Sequence, residues 1–83
     1  MHIILQTPLE IQTFDALWIE FNTSLGNFVI EAGHAPMILN LSEGKPLIIG
    51  CTNNISISRI VSGGALAHIT LANVTILAEG LIS

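Results

Sequence analysis

Hydrophobic positions recur along this chain with a period of two rather than the helical period of about 3.6. In residues 16–22, Leu17, Ile19 and Phe21 fall on one side while Glu20 and Asn22 fall on the other. Residues 54–59 set Ile55 and Ile57, taken as inward, against Ser56 and Ser58. Alternation of this kind marks a strand with one buried face. The same parity turns His68 away from Ala67 and Ile69. Turn-forming residues separate the apolar runs: Thr7-Pro8, Gly33 with Pro36, Gly44-Lys45-Pro46, Asn53-Asn54 and Gly63-Gly64. Glycine and proline at such spacing punctuate short strands. The pattern predicts an all-β fold, a small two-sheet β-sandwich of about nine to ten short, mostly antiparallel strands. No linker or repeat divides the 83 residues, so residues 1–83 are expected to form one domain.

Some predicted strands are apolar on both sides. Met37-Ile38-Leu39, Leu47-Ile48-Ile49 and Val74-Thr75-Ile76-Leu77 leave little polar surface for water. One side fills the space between two sheets; the other is either central core or is covered by another chain. Composition favours the covering chain. The sequence is 51% hydrophobic and only 10% charged, against about 25% charged in an average domain, and so small a domain has little interior in which to hide the excess. No run approaches the ~20 consecutive apolar residues of a membrane-spanning helix. The first residues show no basic segment followed by an apolar stretch, so no secretory signal is expected. The net charge is −4, with Lys45 and Arg59 as the only cations. Nucleic acid and anionic bilayers are both recognised by clustered cations, so the charge argues against both as partners. The expectation is a mildly acidic cytosolic protein that binds other proteins.

Little in the chain looks catalytic. His2, His34 and His68 are too widely spaced to place two metal ligands on one element. A small jelly-roll metal enzyme is the sharper alternative, and that spacing counts against it. Cys51 ends an apolar strand with no base nearby and is expected to be a small buried hydrophobe. Ser62-Gly63-Gly64 lacks the strand-turn-helix context of a nucleophile elbow, and no phosphate-cradling glycine loop with Lys-Ser/Thr occurs. The six carboxylates are scattered. No enzyme activity, metal or cofactor is expected.

The densest set of backbone constraints is Gly26-Asn27-Phe28-Val29-Ile30-Glu31-Ala32-Gly33-His34-Ala35-Pro36, expected to be a shaped loop that presents something. Together with Ile4-Leu5-Gln6-Thr7-Pro8 before it, and Val61-Ser62-Gly63-Gly64 and Val74-Thr75-Ile76-Leu77-Ala78 after it, this segment resembles the amino-terminal β-sandwich domain of the epsilon subunit of F-type ATP synthases. The family pattern Gly-x-Phe-Gly-Ile-Leu-Pro-Gly-His-Ala-Pro-Leu is matched here from Gly26 to Met37, and order and spacing agree over roughly residues 3–79. The sequence departs from the pattern at Asn22-Thr23, Asn27 and Ala65, and Val29 to Ala32 replace Gly-Ile-Leu-Pro, removing a permissive glycine and a rigid proline. Family members continue into a two-helix hairpin that carries inhibitory and, in some members, nucleotide-sensing roles. This sequence stops at Ser83, so a subunit without those roles is expected.

The resemblance implies a non-catalytic rotor subunit of an F-type ATP synthase or ATPase. It would couple the gamma subunit to the c-ring in proton- or sodium-driven synthesis, or in ATP-driven ion pumping. Such a subunit lies at the cytoplasmic face of the inner membrane, peripheral and attached only through the complex, and binds no nucleotide. The implied ring-facing loop is Gly26, Asn27, Glu31, Gly33, His34, Ala35 and Pro36. The implied gamma-facing apolar surface is Met37, Ile38, Leu39 and Leu77. Phe28 and Trp18 are taken as core. The alternative of a different class is a free-standing β-sandwich interaction module that self-associates through an apolar sheet face.

Overall fold

The computed structural model describes residues 1–82. It has seven strands and, among the described residues, no helix. They are β1 (His2–Gln6), β2 (Ile11–Thr23), β3 (Gly26–Glu31), β4 (Met37–Asn40), β5 (Pro46–Cys51), β6 (Ser56–Ile69) and β7 (Asn73–Leu81). The expected all-β sandwich is present, with fewer strands than the sequence predicts. The difference lies in β2 and β6, which are 13 and 14 residues long. Each passes from one sheet into the other and so does the work of two short strands.

The first sheet runs from the start of β2 through β1, β7 and the end of β6 to β4. The second runs from β3 through the end of β2 and β5 to the start of β6. Because β2 and β6 belong to both, the pairing β1-β7-β6-β5-β2 returns to β1, and only β3 and β4 attach outside this circuit. All pairs are antiparallel except β1 with β7.

Both long strands carry a bulge, and each bulge overturns a sequence expectation. In β2, Ala16 pairs with Cys51 and Trp18 with Gly50, leaving Leu17 as the extra residue. An extra residue bends a strand and shifts its side-chain parity by one. Leu17 therefore faces solvent while Ile19 and Phe21 are fully buried. In β6 the register shifts between Ser62 and Ala65, so Gly63-Gly64, expected to break the chain, instead kinks a continuous strand. Gly63 holds φ 73°, a conformation open chiefly to glycine. A side chain there would strike the Glu79 carboxylate, which accepts the Gly64 N–H at 2.7 Å. Ile55 is also exposed rather than inward, because it belongs to the β5–β6 turn and not to a strand.

Three hairpin turns share one device, a threonine hydroxyl that replaces the missing ladder bonds. Thr7 Oγ1 accepts the Leu9 and Glu10 N–H groups. Thr23 Oγ1 accepts Leu25 N–H and donates to Gly26 O. Thr70 Oγ1 accepts Asn73 N–H and donates to Asn73 O.

The core is the set of inward residues from both sheets, led by Phe21, Ile3, Leu5, Ile19, Ile30, Ile49, Ile69 and Ile76. Each such side chain contributes about 1.5–3 kcal/mol on burial. Ala67 and Ile69 are buried and His68 exposed, as their parity requires. Phe28 packs partly against this core, as does Cys51. Trp18 does not: it lies on the outer face of the second sheet, opposite Gly50.

Candidate interaction surfaces

The Gly26–Pro36 segment is not one loop. Its first six residues are strand β3, and only residues 32–36 form a connection. At about 3.3 Å per residue, β3 separates its two ends by roughly 17 Å. Gly26 (φ 128°) closes the β2–β3 turn. Asn27 lies on the outer sheet face, where its Nδ2 donates to Glu20 Oε2 at 3.0 Å and to Asn22 Oδ1 at 3.3 Å. Glu31 is the last residue of β3, opposite Trp18. The rest gather at the other end. Gly33 (φ 83°) donates its N–H to Leu71 O at 3.1 Å, tying this turn to the β6–β7 turn. His34 donates its N–H to Glu31 O at 3.3 Å. Its ring Nδ1 lies 2.8 Å from Ala35 O, a hydrogen bond when Nδ1 carries the proton. Ala35 and Pro36 are exposed.

The expected gamma-facing set also divides. Leu39 is 6% exposed and belongs to the core, and Met37, on the same side of β4, packs partly against it. Alternation along a four-residue strand places its odd members inside, so neither Met37 nor Leu39 can contribute an outward contact. Ile38 and Leu77, 64% and 48% exposed, do point outward.

The sheet register shows what surrounds them. One row across the first sheet reads Ile38, His68, Thr75, Ile4 and Thr13. The next reads Asn40, Leu66, Leu77, Gln6 and Ile11. Ten outward positions on five strands thus include five aliphatic side chains and no carboxylate, lysine or arginine. Carboxylates occur only at the ends of this face: Asp15 beside His2 at 3.8 Å, and Glu79 bonded to Gly64. Sequence reasoning found Ile38 and Leu77 through their apolar runs but missed Ile4, Ile11 and Leu66. Their membership depends on which strands are neighbours, and the β1–β7 pair joins residues about seventy positions apart.

The outer face of the second sheet is different. Its rows read Glu31, Trp18, Gly50 and Ser56, then Val29, Glu20, Ile48 and Ser58. The Trp18 indole occupies the space that a side chain on residue 50 would need, so the glycine seats it.

Among the described residues no group of His, Cys, Asp or Glu side chains is arranged to hold a metal ion. Arg59 is committed within the chain: its Nε donates to Gln12 Oε1 at 3.1 Å, one terminal nitrogen donates to Ser58 O at 2.9 Å, and its guanidinium lies 5.9 Å from the Phe14 ring centre. What the geometry offers is two outer sheet faces of different chemistry. The chain is thus a β-sandwich whose distinguishing chemistry lies on its outer surfaces.

That class narrows to one family. The family model described as the ATP synthase, Delta/Epsilon chain, beta-sandwich domain matches residues 2–83, and the chain belongs to this family. Among solved structures, a chain from the Tetrahymena thermophila mitochondrial ATP synthase central stalk and c-ring superposes with a TM-score of 0.83 at 23% identity, covering 100% of this chain and 66% of that one. A chain from the Euglena gracilis mitochondrial ATP synthase (OSCP/F1/c-ring, rotational state 1) gives 0.82 at 20% identity, covering 96% and 51%. This chain therefore spans between half and two thirds of the length of those relatives. Identity at that level speaks for the fold. No curated protein sequence matches the chain.

Proposed function

We propose that the chain acts as a non-catalytic rotor subunit of an F-type ATP synthase, in the central stalk between the gamma subunit and the c-ring. The observation that carries this reading is the neutral double row on the first sheet, in a chain that belongs to the delta/epsilon family. Five strands of outward aliphatic and uncharged hydrogen-bonding side chains match the make-up of a protein interface core, where charge is depleted. Ile38, Leu77, Leu66, Ile4 and Ile11 would bury against gamma, with Met37 and Leu39 supporting them from behind. The turn of Gly33, His34, Ala35 and Pro36, tied to Leu71, would face the ring, with His34 as its polar contact. Gly26 and Asn27 lie at the far end of β3 and are not needed for it, while the Glu31 carbonyl accepts the His34 N–H that closes it.

Transmission of torque requires a joint that does not yield. A packed interior resists deformation, and a strand circuit that closes on itself leaves few free edges to slip. The subunit itself needs no nucleotide, metal or cofactor for this task, and its attachment to the membrane runs through the complex.

Co-expression with the cognate gamma subunit tests the reading. A stable one-to-one complex that survives size-exclusion chromatography at micromolar concentration is expected. Absence of that complex, with the chain instead forming a homodimer indifferent to gamma, overturns it in favour of a self-associating module.

A further inference from the structure

We infer that the outer face of the second sheet is a docking surface for an arginine-bearing segment of a partner protein, centred on Trp18. This inference does not rest on the rotor reading, because it concerns the opposite face of the sandwich.

Four observations converge. Trp18 is the single tryptophan of the chain, and it is spent on an outer face rather than in the core. Its indole is seated over Gly50, a position where any side chain would displace it, and its ring N–H makes no hydrogen bond among the described residues. Two carboxylates flank it: Glu31 stands directly across the strand pair, and Glu20 lies two residues along β2 on the same face. Directly opposed side chains in such a pair are about 5 Å apart. Glu20 is held in place by Asn27 Nδ2, which Asn22 Oδ1 in turn anchors. Among the described residues the one ion pair is His2 with Asp15, so neither Glu20 nor Glu31 is paired with a cation of the chain itself.

An indole beside two carboxylates is complementary to a guanidinium, which stacks on an aromatic face and pairs with carboxylates in a planar fork. Exposed Val29, opposite Glu20, adds apolar contact for the stem of such a side chain. Charge selects the occupant. A second copy of this chain would bring a net charge of −4 against the same carboxylates, and nucleic acid or anionic lipid would be repelled in the same way. A basic protein segment satisfies both the ring and the carboxylates.

The single tryptophan makes the test direct. The chain is titrated with a hexa-arginine peptide and, separately, with hexa-lysine, following Trp18 emission. A saturable emission change is expected, with hexa-arginine binding more tightly than hexa-lysine. The double variant E20Q/E31Q should weaken hexa-arginine binding about tenfold. The double variant E10Q/E43Q, which removes the same charge from two exposed turns, should weaken it less than about twofold. Unshifted melting temperatures establish that both variants fold. A non-saturable response, equal binding of the two peptides, or equal weakening by the two double variants each overturns the proposal, the last by showing attraction to diffuse charge only.

Discussion

The two outer faces of this sandwich share strands yet differ in chemistry. β2 supplies Ile11 and Thr13 to one face and, beyond its bulge, Trp18 and Glu20 to the other. β6 supplies Leu66 and His68 to the first, and Ser56 and Ser58 to the second. On the first face, five aliphatic side chains sit among threonine, glutamine, asparagine and histidine, with carboxylates only at the ends. On the second, two carboxylates flank an indole. The bulge at Leu17 lies at the point in β2 where one kind of surface gives way to the other. Exposed aliphatic side chains also stand outside the first face, at Leu9, Leu25 and Leu71 in turns and at Val29 on the second sheet. What sets the first face apart is that its aliphatic side chains form adjacent rows across five strands, with no charged side chain among them.

The largest expected effect comes from placing charge on the neutral face. Leu77→Glu removes an outward apolar side chain from the centre of the double row and buries a carboxylate in any interface formed there. The combined cost of about 3 kcal/mol corresponds to roughly a hundredfold loss of affinity for the gamma subunit. Leu77 is already half exposed in the isolated chain, so the melting temperature should move by only a few degrees. Val29→Glu makes the same chemical change on the opposite face and should alter gamma binding less than about threefold. Binding measured by titration calorimetry checks the pair. Equal losses from the two variants would erase the distinction between the faces.

A second substitution acts on the other side of the comparison. Gly50→Val puts a branched side chain where the Trp18 indole lies, and the ring must leave. Overpacking of this kind costs about 1–3 kcal/mol, and the released indole should show red-shifted emission. Gamma binding should stay as it was, since the first sheet is untouched. Thermal melting and the emission spectrum of the lone tryptophan read both effects. A variant of unchanged stability and unchanged emission would show that the indole is not seated on Gly50.

Much of this arrangement is legible in the sequence, and what is not has identifiable causes. Two-residue periodicity separates His68 from Ala67 and Ile69 at the end of β6, and those two are buried while His68 is exposed; in β7, apolar on both sides, only the fold shows that Val74 and Ile76 are the inward pair. Thr7-Pro8, Gly33 with Pro36, and Asn53-Asn54 fall in turns, as their backbone preferences require. Parity counting fails where a strand contains an uncounted residue, and so it misplaces Leu17. Gly63-Gly64 looks like a turn because glycine serves turns and bulges alike. Trp18 looks like core because large aromatics usually are. Only its pairing with Gly50, thirty-two positions away, shows that the outer face has room for it. The candidate surface suffers most from this limit, since its rows are composed across strands distant in sequence, and no local pattern announces which residues share a row.

The smallest predicted effect sharpens the contrast by asking what the charged face needs for its own sake. Asn27 links Glu20 and Asn22 through two side-chain hydrogen bonds of 3.0 and 3.3 Å, all on an exposed surface. Such bonds are exchanged with water on unfolding and add little net stability, and no buried donor is stranded when one partner is lost. Asn27→Ala should therefore cost no more than about 0.5 kcal/mol and should leave gamma binding unchanged. Its effect belongs instead to Glu20, which loses the amide that positions it. Hexa-arginine binding, read by Trp18 emission, should weaken by about twofold to threefold while the melting curve hardly moves. A loss of 2 kcal/mol or more in urea or thermal unfolding would assign the amide network to the fold rather than to the surface. The polar face would then be polar because the sandwich requires it, and its difference from the neutral face would carry no information about partners.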